Sequence, residues 1–119
     1  DEIVDIATRA KERKLDLAEL KGGTFTLSNQ GAVGGSFVTP ILNYPEVSIL
    51  VLGRAYDKPM ARNGKVEIRK ALPLSVTFDH RVIDGAEVGH FLNDLKEYLE
   101  DLDVLKAEIP EEVDLLGSF

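Results

Sequence analysis

The chain has 119 residues, 44% of them apolar, no cysteine and a formal net charge of −7, a size that suits one domain or part of one. The acidic balance argues against nucleic acid or an anionic membrane as the main partner. The lack of cysteine removes disulfides, thiolate metal sites and a cysteine nucleophile, and no apolar run approaches the ~20 residues of a membrane-spanning helix.

Ile3, Ile6, Ala7 and Ala10 recur at helical spacing, which predicts an amphipathic helix over residues 1–14. Its acidic residues come first and Lys11, Arg13 and Lys14 last, matching the helix dipole. Asp1-Glu2-Ile3-Val4 is already helical in character, as expected of a chain whose natural start lies further upstream. Leu15, Leu17 and Leu20 form a connector that Gly22-Gly23 ends. Thr24 to Ser28 alternates and is rich in β-formers, so it reads as a strand. It runs into the glycine-rich stretch Asn29-Gln30-Gly31-Ala32-Val33-Gly34-Gly35-Ser36, which lacks the Gly-Lys-Ser/Thr of a phosphate-binding loop. Either it is a turn, or its missing side chains let the backbone approach a ligand.

Thr39 to Pro45 reads as a surface loop and Val47 to Gly53 as a central strand covered on both faces. Asp57 to Met60 reads as a turn. Asn63-Gly64 signals a hairpin with Val66 to Ile68 as the returning strand. Leu72 to Phe78 is a further strand that delivers His80 at its end. From Asp84 the period changes: Val88, Phe91, Leu92, Leu95, Tyr98, Leu99 and Leu102 follow helical spacing, and Asp84 with Glu87 has capping-box spacing. After Leu102 the pattern decays, and the run around Pro110 breaks any helix. Val113, Leu115, Leu116 and Phe119 make an apolar end to an acidic tail.

Three side chains stand out for chemistry. His80 is either a strand-end residue or a general base, since an imidazole of pKa about 6.5 is largely neutral at pH 7. Asp84 is an N-cap, an orienting carboxylate for His80, or both. Ser28 is a strand-end serine, a nucleophile if a base is near, or a donor to a developing oxyanion. His90 falls near the polar face of the helix and takes no role. His80 has no second histidine at ligand spacing, so no metal site is expected.

His80-Arg81-Val82-Ile83-Asp84-Gly85 resembles the His-Arg-x-x-Asp-Gly signature of the dihydrolipoamide acyltransferases of 2-oxoacid dehydrogenase complexes. Gly22 to Asn29, Gly34-Gly35, Thr39 to Asn43, Pro45 to Leu50, Lys58-Pro59-Met60 and Leu72 to Ser75 follow the family's order and spacing, so the resemblance reaches to about residue 105. It implies an α/β, chloramphenicol-acetyltransferase-like two-layer sandwich of helices on a mixed β-sheet. Residues 1–119 would be a single unit, the C-terminal part of the catalytic domain, with the other half preceding Asp1. It implies acyl transfer between dihydrolipoamide, carried on a lipoyl arm of a separate domain, and coenzyme A. His80 would take the proton from the thiol, Ser28 would stabilise the oxyanion from a different subunit, and Asp84 would act as a polar group near the pocket. Asn29, Gly34 and Gly35 are the candidates lining the coenzyme A and lipoyl channel.

The implied partners are two further copies in a homotrimer, cubic or dodecahedral cores built from trimers, and the first (E1) and third (E3) components of the complex. The implied location is the cytoplasm, or the mitochondrial matrix in a eukaryote. Pyruvate and branched-chain types are favoured over succinyl types, some of which carry threonine at the Ser28 position. Relatives end in a leucine-rich stub that links trimers, whereas extra residues including Pro110 here precede Leu115-Leu116. The alternative is an assembly fragment that is inactive without the N-terminal half.

Overall fold

The computed structural model describes residues 2–108 and contains two compact units that meet in sequence between Asp79 and His80. The apolar tail residues Val113, Leu115, Leu116 and Phe119, and the break at Pro110, lie outside the described residues.

In the first unit, α1 (Glu2–Lys11) carries Glu2 and Asp5 in its first turn and Arg9 and Lys11 in its last. It is shorter than the helix expected over residues 1–14 because Arg13 takes a left-handed φ of 57° and turns the chain. Arg9 clamps the connector that follows. Its guanidinium donates to both oxygens of Glu19, at 2.8 and 3.0 Å, and to Asp5 at 2.8 Å.

Three strands form a mixed sheet in the order β1-β2-β5. β1 (Thr26–Asn29) runs parallel to β2 (Ser48–Leu52), and β5 (Leu74–Phe78) runs antiparallel to it. The near-continuous apolar run places β2 centrally, as expected, and Ile49, Leu50 and Val51 are buried. Ser28 lies level with Val51 and Ser75, and Phe78 lies level with Ser48. Asp79 N–H donates to the Val47 carbonyl at 2.8 Å as the chain leaves the sheet.

The segment read as a turn at Asp57–Met60 is instead part of β3 (Tyr56–Arg62), which pairs with β4 (Lys65–Ala71) as a separate two-stranded ribbon. Asn63 and Gly64, with φ of 50° and 74°, make the two-residue turn that Asn-Gly signals. Counting back from the closing pair Arg62–Lys65, Pro59 falls opposite Ile68 in a non-hydrogen-bonded pair. A proline's missing N–H therefore costs the ladder nothing there.

In the second unit, α2 (Gly85–Glu100) begins at Asp84 and α3 (Leu102–Glu108) follows it. The helical pattern that decays after Leu102 in sequence continues as this separate short helix. The break falls at Asp101, which is extended at φ −132° and whose carboxylate accepts from Asp103 N–H at 3.0 Å to start α3. On α2, Val88 is buried, Leu92, Leu95 and Tyr98 are half-buried, and His90 is exposed.

Candidate active site

Ser28 is the third residue of β1. It is half-buried, and its hydroxyl has no hydrogen-bond partner among the described residues. The chain then turns sharply. Gln30 N–H donates to the Leu52 carbonyl at 2.9 Å, and Asn29 accepts from Gly31 N–H at 2.9 Å through its side-chain oxygen. Val33 and Gly34 N–H close a turn on the Gln30 carbonyl, and Gly34 takes a φ of 96° that only glycine adopts easily.

This loop is seamed to the residues that follow β2. Arg54 N–H donates to the Gly35 carbonyl and Gly53 N–H to the Pro73 carbonyl, both at 2.8 Å. A Cβ on Gly53 would overlap the Ser36 carbonyl oxygen. Of the channel candidates, Asn29 thus has its side-chain oxygen committed to the loop itself, while Gly34 and Gly35 meet Arg54, whose guanidinium Nη1 would stand 3.8 Å from a Cβ on Gly34. Sequence reasoning passed over Gly53 and Arg54, because a single glycine at a strand end carries no sign of which backbone comes up against it. An open recess of about 340 Å³ lies between residues 37–40 and residues 75–77 of β5.

His80 opens the second unit and is exposed. Four residues on, Asp84 is the N-cap of α2: one carboxylate oxygen accepts from Ala86 N–H at 2.8 Å and Glu87 N–H at 2.9 Å. The Glu87 carboxylate reaches back to Asp84 N–H at 3.2 Å, completing the expected capping box. Asp84 is therefore a helix-starting residue whatever else it does. No cluster of three or more potential metal ligands is present among the described residues, and no described helix is long and apolar enough to cross a membrane.

The model of the 2-oxoacid dehydrogenases acyltransferase (catalytic domain) family matches residues 1–107. This chain belongs to that family. Among acyltransferases of known sequence, the dihydrolipoyllysine-residue acetyltransferase component of the pyruvate dehydrogenase complex of Bacillus subtilis is 44% identical over 108 residues. That match covers 91% of this chain and 24% of the relative. The chain thus spans about a quarter of the length of the curated relatives it matches.

Among solved acyltransferase structures, the dihydrolipoamide acetyltransferase of Azotobacter vinelandii superposes with a TM-score of 0.81 at 40% identity, covering 87% of this chain and 42% of that one. That work addresses a serine, a histidine 52 positions later and an asparagine four beyond it in the catalytic mechanism. The cubic core of a pyruvate dehydrogenase multienzyme complex gives the same TM-score and coverage at 39% identity. The expected chloramphenicol-acetyltransferase-like α/β fold with a mixed sheet is what this chain shares with them.

Proposed function

We propose that residues 1–119 are the C-terminal part of an acyltransferase catalytic domain that moves an acyl group between a dihydrolipoyl arm and coenzyme A. His80 is the general base, Ser28 the oxyanion donor, and Asp84 the residue that anchors the His80 segment to α2. The thiol of coenzyme A, with a pKa near 8.5, is mostly protonated at pH 7, so attack on the acyl carbonyl calls for a base. The charge developing on the carbonyl oxygen calls for a donor such as the Ser28 hydroxyl. The observation that carries the reading is spacing. Ser28 and His80 are 52 positions apart and Asp84 lies four further on, the separations of the three residues addressed in the Azotobacter enzyme. Acetyl is the acyl group favoured by the named relatives.

A base and an oxyanion donor serving one carbonyl must each sit within about 3 Å of neighbouring atoms. A homotrimer in which Ser28 of one copy faces His80 of the next belongs to the same reading. Assembly into a larger core with the E1 and E3 components extends the same reading. The bacterial relatives favour the cytoplasm over the mitochondrial matrix.

A second reading, an assembly piece inactive by itself, is favoured by the large apolar side chains left exposed, such as Ile41 at 90% and Tyr44 at 92%. Turnover by the isolated 119-residue chain would remove it. The main reading is tested in the full chain with acetyl-coenzyme A and dihydrolipoamide. His80→Ala is expected to lower the rate about 10²–10⁴-fold, and Ser28→Ala to lower kcat about 10²–10³-fold with KM little changed. An unchanged rate in His80→Ala would refute the assignment.

A further inference from the structure

β1 is a four-residue strand paired, among the described residues, in parallel with β2 on one side, and its polar side chains are on the half-buried face. Thr26 and Ser28 are half-buried, while Leu27 is 62% exposed. Hydrophobic burial ordinarily fixes a strand's register, and a slip of one residue turns every side chain to the other face. In β1 the half-buried face is the polar one, so a polar contact on that face can fix the register.

Glu46, two residues before β2 begins, makes such a contact. One of its carboxylate oxygens accepts from the Thr26 hydroxyl, and the other accepts from the Asn43 side-chain amide at 3.3 Å. Its own N–H donates to the Asn43 carbonyl at 2.8 Å, closing the turn that leads into β2. Gly23 leaves room for the carboxylate, since a Cβ there would stand 2.7 Å from the same oxygen that faces Asn43. Both partners are tied to the register. Thr26 lies level with Ile49 and Ser28 with Val51, and residues two apart on a strand share a face.

We propose that Glu46 and Thr26 form a register clamp, with Glu46 as a positioning residue that holds the Ser28 hydroxyl on its working face. This rests on the reading of Ser28 as the oxyanion donor. The clamp touches no reacting atom, so its loss acts on kcat through Ser28 alone.

The test is steady-state acyl transfer by the full chain, with acetyl-coenzyme A and dihydrolipoamide as substrates. Thr26→Val, which keeps the shape and removes the donor, is expected to lower kcat about tenfold or more with KM little changed, as a misplacement of about 1 Å in a catalytic group can. Thr26→Ser is expected to restore kcat. Gly23→Ala, which displaces only the flexible end of Glu46, reproduces the loss without altering β1 itself. In a Ser28→Ala background, Thr26→Val is expected to cause no further loss. A normal kcat in both Thr26→Val and Gly23→Ala overturns the clamp, as does an equal loss from Thr26→Val with and without Ser28. If Ser28→Ala alone leaves kcat unchanged, the oxyanion reading itself fails, and the clamp with it.

Discussion

At Asp84 a single carboxylate oxygen accepts from both the Ala86 and Glu87 N–H groups. Asp84→Ala is expected to cost about 0.5–2 kcal/mol of stability, while Asp84→Asn, an equally good cap, is expected to be near neutral. Urea unfolding of the two variants checks this. Elsewhere at this scale, hydrogen bonds from Arg9 and from Asp16 N–H hold the Glu19 carboxyl down, from 4.5 to about 2, and Arg9 is raised in turn. A lowered folded pKa means that the clamp's contribution is complete above the ordinary carboxylate value and is lost as pH falls from 4.5 toward about 2. A carbon-detected NMR titration of Glu19 is expected to show its midpoint near the lower value, and Arg9→Gln is expected to raise it toward the ordinary range. His80, Ser28 and Asp84 were legible as residues because their types and positions at strand and helix ends limit what they can do. The roles of Glu46 and Gly23 were not legible, because they depend on which side chain stands over which backbone across 20 or more positions of sequence.

Elements were legible where local chemistry is decisive. The capping box, the Asn63-Gly64 turn and the apolar run of β2 each declared themselves through backbone preference or burial on both faces. β3 was hidden by Pro59 and its polar neighbours, since its pairing is set by β4 rather than by its own pattern. α3 was hidden because its start depends on a single cap at Asp101. The seam between the glycine-rich loop and Gly53 belongs to the same class. Gly53→Ala is expected to be destabilising, by about 1–3 kcal/mol or more, because the Ser36 carbonyl is backbone and cannot swing aside. Thermal unfolding checks the sign, and Gly64→Ala offers a contrast, since nothing crowds that position and the cost there arises from its φ of 74° alone.

At the scale of the whole molecule, the family was written in the His80–Gly85 motif and in the ordered matches before it, and the family model spans residues 1–107. The extent of the core was not written there. Of the described apolar residues only Ile49, Leu50, Val51 and Val88 are buried, and Val33, Phe37, Ile41 and Tyr44 are exposed. A composition of 44% apolar residues says how much could be buried, not against what. The site shared between copies proposed above has a consequence for genetics: it can be rescued by two broken copies. Co-expression of Ser28→Ala and His80→Ala chains in equal amounts leaves about a quarter of the sites in a randomly mixed ring with both groups intact. Activity of the mixture is therefore expected to rise to about a quarter of the unmutated level, well above either parent. A mixture no more active than its parents would mean that each copy supplies both groups to its own site.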